Sequence, residues 1–287
     1  MNTPDVIFTK LGIEFMELNE VAFQIFGVEI YWYALFIAIG FLGGLTIASL
    51  IAKKTGQDPD IYSDFMVYCL VAAIVGARLY YVAFEWDSYK DNLMKIFAVR
   101  QGGLAIYGGI IACVITLWVF TRVKKLSFLI MCDTAVAGLA FGQMIGRLGN
   151  FVNKEAFGGY TDNIFAMSIK ASEAKYIPAE LVNNMTEIAG VNYIQVHPTF
   201  LYEALWSLGT ILLILLWFKV RRFNGEIFFI YVLSYGVGRF WIEGLRTDQL
   251  IIGNTGIPMS QLFAGITGLI ALVLIVLGRK KYHHTNM

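Results

Sequence analysis

The amino-acid sequence predicts an all-α, polytopic membrane protein with about seven transmembrane helices. Of its 287 residues, 57% are hydrophobic and 15% are charged, whereas soluble domains carry charge on about a quarter of their residues. The mean hydropathy of +0.64 points the same way. Because polar residues are too few to cover a soluble globule of this size, lipid must cover much of the surface. The net charge of +1 gives no indication of nucleic-acid binding.

Seven stretches of the chain are predicted to span the membrane. A spanning helix needs about 20 mostly apolar residues. The stretches lie near residues 30–52, 62–84, 103–121, 127–148, 198–218, 226–246 and 258–278. No linker, low-complexity tract or clear internal repeat divides them, so residues 1–287 are expected to form a single membrane domain. Residues 1–20 hold four acids and no apolar core, so no cleavable signal peptide is expected.

The distribution of lysine and arginine predicts the orientation. Eleven of these residues lie in four short segments on one side of the membrane, at 53–54, 122–125, 219–222 and 279–281. Seven others are spread over the much longer segments of the opposite side. Because short cytoplasmic loops carry the excess of positive charge, the N-terminus is predicted to lie outside and the C-terminus in the cytoplasm.

Two segments outside the spans are long enough to form structure of their own. The loop at about 149–197 falls outside, between spans four and five, and predicts a small extracytoplasmic cap with short helices or strands. The segment before Glu29 is expected to lie along the membrane interface. Its apolar face would consist of Phe15, Met16, Val21, Phe23, Ile25 and Phe26.

Charged residues lie inside the predicted spans, where the membrane makes them costly. An ionised side chain near mid-bilayer costs at least about 2.5 kcal/mol unless it is paired or faces water. The residues concerned are Arg78, Arg147, Arg239, Arg246, Asp64, Asp133, Glu203 and Glu243. Asp64 and Asp133 lie near inner ends of spans and are interpreted as structural. The others predict an internal polar chamber.

The four arginines share one depth in this topology. Spans two, four and six run from the inside to the outside, and each arginine lies toward the C-terminal end of its span. Guanidinium groups gathered in the outer half suit an anionic ligand, because guanidinium binds phosphate through two parallel hydrogen bonds. The alternative is that the arginines are snorkelling side chains, whose charged ends lie among the outer headgroups. This alternative fits Arg246 best.

The end of the fourth span combines glycine with polar residues. Between Gly146 and Gly158 the chain carries Arg147, Asn150, Asn153 and Glu155. Arginine only donates hydrogen bonds, whereas asparagine both donates and accepts, so this segment can bind a phosphate and its neighbouring hydroxyls. From the residues alone, a capped helix end with an interfacial arginine explains the pattern equally well.

The sixth span carries a second polar stripe. Arg239, Glu243 and Arg246 follow i, i+4, i+7 spacing, so they share one face of a helix. Inside a membrane such a face must point into the chamber. Glu243 can pair with either arginine and hold its guanidinium in place.

These segments resemble the motifs of the prolipoprotein diacylglyceryl transferase family. The run from Gly146 to Gly158 matches each fixed position of its signature, Gly-Arg-x-Gly-Asn-Phe-x-Asn-x-Glu-x-x-Gly. Three further segments are similar to family motifs: His197 to Glu203, Arg239 to Asp248, and the Trp32-Tyr33 pair. Gly76-Ala77-Arg78 and the seven-span layout also fit, so the resemblance covers nearly the whole chain.

The resemblance implies a transferase of the bacterial cytoplasmic membrane that catalyses the first step of lipoprotein maturation. Such an enzyme moves the diacylglyceryl group of phosphatidylglycerol onto the lipobox cysteine thiol of a prolipoprotein signal peptide. The products are a thioether and glycerol 1-phosphate. The expected partners are therefore phosphatidylglycerol, the signal peptide and membrane lipids, with no nucleic acid, metal or other cofactor.

The resemblance also implies roles for individual residues. Arg147 and Arg239 are expected to clamp the phosphate and, with Tyr107, to form the catalytic set. The residues expected to bind phosphatidylglycerol are Tyr33, Arg147, Asn150, Asn153, Glu155, Gly158, Glu203, Glu243 and Arg246. His197 is interpreted as a loop or cap residue, and Cys69, Cys113 and Cys132 as free thiols.

Tyr107 marks a departure from the family. It lies among four glycines, Gly102, Gly103, Gly108 and Gly109, where the family often has a histidine that is a candidate for proton transfer. A phenol with a pKa near 10 is a poor base at neutral pH. The identity of the general base is therefore open, and Tyr107 is expected to bond the phosphate or share a proton with a nearby group.

Two other function classes fit a polar chamber between helices. A secondary transporter for a small anionic solute would use glycine-broken helices around an arginine site, but it would place that site near the midplane and would commonly show an inverted repeat. A seven-span receptor would turn over neither lipid nor solute. Anion uptake into vesicles without lipid consumption would favour the transporter.

The predicted orientation can be tested with single cysteines. A cysteine near Thr161 should react with a membrane-impermeant thiol reagent in intact cells, and one near Lys124 should not, because the short basic loops are expected inside. Labelling is read by mass shift of the purified protein. The reverse pattern would invert the topology and move the arginines to the other leaflet.

Overall fold

The structure is a computed structural model that describes residues 3–98, 102–253 and 255–285. The chain forms two compact units. Unit 1 comprises Met1–Gly44 with Val136–Met287, and unit 2 comprises Leu45–Ala135. Each has its own buried core; that of unit 2 consists of Ala48, Ala52, Tyr62, Phe120 and Met131. The prediction that residues 1–287 form a single domain, with 149–197 as a cap within it, stays a prediction.

Most of the described chain is helical. The helices are α1 (Trp32–Lys54), α2 (Asp60–Phe84), α3 (Ile106–Val123), α4 (Phe128–Val152), α5 (Ala179–Val182), α6 (Thr199–Trp217), α7 (Glu226–Glu243) and α8 (Met259–Thr285). Short 3-10 turns occur at Trp86–Ser88 and Leu93–Phe97. Among the described residues, six helices are long and apolar enough to cross a membrane, namely α1, α2, α3, α4, α6 and α8. The prediction of a polytopic membrane protein is therefore confirmed.

The seventh predicted span, 226–246, is also a helix but differs from the six. Its 18 helical residues, α7, include Glu226, Arg239 and Glu243. Each charge adds to the cost of burial in lipid unless it is paired. The assignment of α7 as a seventh span, and the orientation of the termini, stay predictions.

The all-α part of the fold prediction is wrong, because seven strands form two sheets among the residues that the structure describes. They are β1 (Val6–Phe8), β2 (Ile13–Phe15), β3 (Val21–Ile25), β4 (Val28–Tyr31), β5 (Met167–Lys170), β6 (Thr186–Ile188) and β7 (Val191–Val196). One antiparallel sheet has the order β2-β1-β5-β7-β6, and the other is the hairpin β3-β4. The strands and α5 in 149–197 agree with the expected short elements of a cap.

The five-stranded sheet joins the N-terminal segment to the cap loop. Val6 pairs with Ile169, and Ile169 in turn pairs with Ile194. These apolar residues are buried in one core cluster. Phe15, expected at the membrane interface, instead packs edge-on against Phe8 and Phe151 at 6.2 and 5.0 Å between ring centroids. Pairing with β5 therefore buries β1, whereas β2 is an edge strand in which only Phe15 is partly buried.

The exposure of the cap bears on the labelling experiment proposed above. Thr161 is buried, so a cysteine at that position would react slowly whatever the topology. The side chain of Tyr160 beside it is exposed. Tyr160 is therefore the better site for the outside label.

Unit 2 contains a close pair of helices and a buried arginine. Helices α2 and α3 meet where Gly108 faces Gly76. The Arg78 guanidinium donates to the carbonyl oxygens of Ile96, Gly102, Gly103 and Lys95 over 2.6–2.8 Å. Arg78 is buried, and these bonds hold Lys95, Ile96, Gly102 and Gly103 against α2.

The three cysteines are free in the structure, as expected. Cys132 is buried, and Cys69 and Cys113 are half-buried. The Sγ atoms of the latter two, on α2 and α3, lie 2.9 Å apart without a covalent bond.

In unit 1, α1 and α4 pack through facing glycines. A Cβ at Gly44 would lie 2.7 Å from the carbonyl oxygen of Gly138, and a Cβ at Gly40 would lie 3.1 Å from Cα of Gly142. Both contacts are with backbone, which cannot move aside as a side chain can. Glycine therefore sets the distance between α1 and the helix that carries Arg147.

Replacing Gly138 should destabilise the protein. A Cβ there would overlap the carbonyl oxygen of Gly44, and overpacking costs about 1–3 kcal/mol. Gly209→Ala is the matched control, since a Cβ there meets nothing within 4 Å. We expect Gly138→Ala to lower the midpoint of thermal unfolding in detergent and Gly209→Ala to leave it unchanged or raised. Equal midpoints would mean that the α1–α4 distance is adjustable.

Candidate active site

One buried carboxylate gathers three arginines. Glu203 lies in the second turn of α6, and 10% of its side chain is exposed. Its Oε2 forms an ion pair with Arg147 Nη2. Its Oε1 lies 3.1 Å from Arg239 Nη1 and 3.4 Å from Arg246 Nη1. The arginines come from α4, from α7 and from the residues after α7, so this contact holds three segments together.

Two further carboxylates complete the cluster. Glu243 Oε2 lies 2.6 Å from Arg239 Nη2 and 4.0 Å from Arg246 Nε. Asp248 accepts two bonds from Arg246, from Nε at 2.9 Å and from Nη2 at 2.7 Å. Burial works to raise the pKa of Asp248, but the hydrogen bonds and charge of Arg246 outweigh it and hold that pKa below its usual value. Asp248 is therefore ionised at neutral pH and fixes Arg246.

The cluster is formally balanced in charge. Three guanidinium groups, of Arg147, Arg239 and Arg246, face three carboxylates, of Glu203, Glu243 and Asp248. Apart from Asp248, whose side chain is 43% exposed, these side chains are at most 25% exposed, so burying them unpaired would be costly, and pairing removes most of that cost. A guanidinium has five N–H donors, so Arg147 keeps donors beyond those directed at its partners. These remain for a ligand.

The end of α4 extends the cluster through amides. Arg147 Nη1 donates to Asn150 Oδ1 at 3.1 Å. Asn150 and Asn153 in turn donate to Glu155 Oε1 at 3.0 and 3.1 Å. The buried Oδ1 of Asn153 has no hydrogen-bond partner among the described residues. An unpaired buried acceptor is costly, so this atom would gain from a ligand that donates a hydrogen bond, such as a hydroxyl.

Gly158 is a junction of three segments. Its N–H donates to the carbonyl of His197 at 3.0 Å, and it forms an isolated β-bridge with Arg246. A Cβ at this position would lie 2.6 Å from the carbonyl oxygen of Leu245 and 2.7 Å from Cβ of His197. Glycine is thus required because backbones approach closely, which positions Arg246 relative to α4 and α6.

Tyr33 covers the start of the same signature. It is the second residue of α1, and its ring lies directly where a Cβ of Gly149 would be. Gly149 follows Arg147 by two residues on α4. The contact brings Tyr33, predicted as a binding residue, beside the polar end of α4.

His197 lies at the edge of the cluster with a tyrosine. Its Nδ1 lies 3.3 Å from Tyr202 Oη, and that hydroxyl accepts from Asn163 Nδ2 at 3.0 Å. Burial lowers the pKa of His197, so the neutral form is favoured at neutral pH. The side-chain contacts and the backbone bond to Gly158 agree with the interpretation of His197 as a loop residue.

Tyr107 and Arg78 belong to unit 2, whereas the Glu203 cluster belongs to unit 1, so each is described within its own unit. Tyr107 lies in the first turn of α3, and its side chain is about half exposed. Its catalytic role stays a prediction. Arg78, expected at the depth of the other arginines, uses its donors on the carbonyls of its own unit and so has a structural explanation.

Sequence reasoning gave no role to several residues that shape the site. Asp248 was quoted within a motif but not assigned, although its spacing of two from Arg246 could have indicated the pair. Thr199 is buried and donates through Oγ1 to the carbonyl of Ala156, whose φ of 56° is unusual for a non-glycine residue. Lys154 is buried and donates to the carbonyl of Leu18 at 2.7 Å. The last two contacts are not readable from spacing.

Comparison with known proteins adds independent information. A family model described as prolipoprotein diacylglyceryl transferase matches residues 20–277. The matched range contains the whole cluster around Glu203, the end of α4 and Tyr107.

Three similar proteins carry the name phosphatidylglycerol–prolipoprotein diacylglyceryl transferase. The one from Finegoldia magna is 43% identical over 265 residues, covering 92% of this chain and 97% of its own. The one from Bacillus cytotoxicus is 40% identical over 264 residues, with coverages of 92% and 93%. The one from Enterococcus faecalis is 41% identical over 266 residues, and both coverages are 92%.

Removing the charge of Glu203 should destabilise the protein strongly. Glu203→Gln leaves three arginines facing one another, and breaking a buried ion pair costs about 3–5 kcal/mol. Asp64→Asn is the control, because Asp64 and Lys124 form an exposed pair at 3.5 Å, and such pairs contribute about 0–1 kcal/mol. The measurement is the free energy of unfolding of both variants, Glu203→Gln and Asp64→Asn, in the same detergent. Equal losses would show that other contacts hold the arginines in place.

Proposed function

The chain belongs to the prolipoprotein diacylglyceryl transferase family, and we propose that the cluster around Glu203 is its phospholipid-headgroup site. It is a transferase of lipoprotein biosynthesis, acting at the first step of lipoprotein maturation and moving a diacylglyceryl group from phosphatidylglycerol to a prolipoprotein. The observation that carries the site proposal is the convergence of Arg147, Arg239 and Arg246 on Glu203, beside an asparagine pair with an open acceptor.

Arg147 and Arg239 hold the phosphate in this proposal. Each guanidinium is held by a carboxylate on one side, so its remaining N–H donors are fixed in direction before the lipid arrives. Donors that are already oriented stabilise developing charge without reorganisation during the reaction. Arg246, held by Asp248 and near Glu243, pairs with the same oxygen of Glu203 as Arg239 and helps to hold that carboxylate in place.

The asparagine pair recognises the glycerol of the headgroup. A glycerol hydroxyl donates a hydrogen bond, and Asn153 Oδ1 is a buried acceptor without a partner among the described residues. Glu155 orients both asparagine amides. Tyr33, whose ring lies against Gly149, and Gly158, which joins three backbone segments, complete the proposed pocket. A headgroup with an amine in place of the glycerol has no hydroxyl to donate to Asn153 Oδ1.

The chemistry is a displacement at carbon. The substrate's cysteine thiolate forms a bond from sulfur to the diacylglyceryl carbon that carries the phosphate ester oxygen. The bond from that carbon to oxygen breaks, and glycerol 1-phosphate leaves with the electron pair. The nucleophile belongs to the substrate, so the enzyme needs no cysteine of its own. The arginines stabilise the negative charge on the leaving phosphate.

The site is proposed to lie at outer-leaflet depth in the bacterial cytoplasmic membrane. The supporting argument is the charge bias of the short loops, which puts the C-terminal ends of α4 and α7 outside. There the lipid headgroup and the lipobox cysteine of a translocated signal peptide are found together.

The function is tested with purified protein, phosphatidylglycerol and a lipobox peptide. We expect release of glycerol phosphate together with a gain of one diacylglyceryl group in the mass of the peptide. A peptide with serine in place of the cysteine, and vesicles of phosphatidylethanolamine, are the controls. Glycerol phosphate release without peptide modification, with diacylglycerol as the other product, would identify a phospholipase C-type hydrolase instead.

Arg147→Lys should abolish most activity while the protein stays folded. Lysine keeps the charge but loses the planar fork that holds Glu203, Asn150 and phosphate at once. We expect kcat to fall about 10²-fold or more, as for loss of an oriented donor. Arg122→Lys, at the C-terminal end of α3 over Trp118, is the matched control. Near-normal turnover in Arg147→Lys would reduce Arg147 to an interfacial anchor.

Tyr107→Phe separates the hydroxyl from the ring. If the hydroxyl stabilises developing charge, kcat should fall by roughly 10²–10³, whereas Tyr68→Phe, an exposed tyrosine of α2, should change nothing. Tyr107→His restores the other family form, and we expect it to keep substantial activity. Full kcat in Tyr107→Phe would remove Tyr107 from the chemistry and leave the arginines as the main source of catalysis.

A further inference from the structure

The hairpin β3-β4 stands apart from the rest of unit 1. Its strands pair with each other in a sheet of two strands, joined by a tight turn at Phe26 and Gly27. Both turn residues have positive φ, 49° and 77°, which suits the right-handed twist of a two-residue hairpin. An isolated two-stranded hairpin is at best marginally stable in water, so something else must stabilise it.

The hairpin has one apolar and one polar face. In the pairing register Phe23 lies opposite Ile30 and Ile25 opposite Val28, so these four side chains share a face. The other face carries Gln24 opposite Glu29, with a hydrogen bond of 3.2 Å between them. Tyr31 also donates to Glu29, at 2.9 Å.

The apolar face and the tip are uncovered by protein. Phe23, Ile25 and Val28 are 46%, 49% and 55% exposed, and Phe26 at the tip is 103% exposed. Contiguous exposed apolar patches of this kind mark a binding surface. Of the six apolar residues that the sequence assigned to an interfacial face, Phe15 is half-buried against Phe151, whereas Phe23, Ile25 and Phe26 of the hairpin are exposed.

The hairpin leads directly into a helix that can cross a membrane, which identifies lipid as what covers its apolar face. Tyr31, the last residue of β4, is followed directly by Trp32, the first residue of α1, and α1 is apolar enough to cross a membrane. The base of the hairpin is fixed: Trp32 N–H donates to the Glu20 carbonyl at 2.9 Å, and Glu20 pairs with Lys175 of the cap at 3.0 Å. The apolar face therefore begins where a membrane helix begins.

We propose that the β3-β4 hairpin is a membrane anchor that inserts Phe26 into the lipid leaflet in which α1 starts. Its apolar face contacts acyl chains, and Gln24 and Glu29 face the headgroups and water. The anchor is tied to the cap through Glu20 and Lys175 and to the end of α4 through Tyr33, which covers Gly149. It thereby fixes the height of the cap above the membrane. This inference does not depend on the proposed function.

The test measures the depth of residue 26 in vesicles of phosphatidylcholine and phosphatidylglycerol. Phe26→Cys is labelled with an environment-sensitive dye in a background in which Cys69, Cys113 and Cys132 are alanine. Ala189→Cys, in the exposed turn between β6 and β7, is the matched control. We expect nitroxide-bearing lipid to quench the dye at 26 several-fold more than at 189, and iodide to quench it several-fold less.

Two other outcomes would overturn the anchor. Equal iodide quenching at 26 and 189 would mean that the hairpin stands in water. Protection at 26 from both quenchers would mean that protein, such as a second copy of the chain, covers it. If the cysteine-free background fails to fold, p-benzoylphenylalanine in place of Phe26 gives the same decision in the natural background. A phospholipid adduct at position 26 supports the anchor. The positive control is p-benzoylphenylalanine in place of Ile39 on α1. An adduct in that control without one at position 26 overturns the anchor.

Discussion

The contact of Glu203 with three arginines is the interaction on which the site depends. Arg147, Arg239 and Arg246 belong to different segments, and like charges would drive those segments apart in a medium of low dielectric constant. A buried carboxylate between them turns the repulsion into attraction and sets the spacing of α4, α6 and the end of α7. The backbone junction at Gly158 reinforces this arrangement, because it joins the same three segments through main-chain contacts.

Pairing also shapes what the site can do. A group of unpaired arginines would bind any anion, and it would be costly to bury. Arginines paired with Glu203, Glu243 and Asp248 have little net charge, so their effect on a ligand comes from the direction of the remaining N–H donors. Donors with fixed directions favour a phosphate ester that lies in line with them over one that is placed elsewhere. The unpaired acceptor on Asn153 adds a second requirement, for a donor placed next to that phosphate.

The N-terminal segment links the membrane to the cap in two ways. Its first strands complete the cap sheet through pairing of Val6 with Ile169, and the hairpin that follows leads directly into α1. Buried Lys154 strengthens the link by donating to the Leu18 carbonyl. Because Lys154 belongs to the same polar segment as Asn150 and Glu155, the position of the N-terminal segment and the shape of the site are coupled.

The sequence determined the features that depend on local composition. Apolar runs of spanning length form helices in lipid whatever their neighbours are. The spacing of Arg239, Glu243 and Arg246 places them on one face through helix geometry alone. The motif at Gly146 to Gly158 indicated which polar residues to expect together. Only the tertiary structure decided the rest. Short strands were expected in the cap, but those of the N-terminal segment were missed, because they are three to five residues long and the pairing of Val6 with Ile169 joins residues far apart in the chain. The role of Glu203 as the common partner of Arg147, Arg239 and Arg246 depends on three-dimensional distances between segments, for which sequence spacing holds no information.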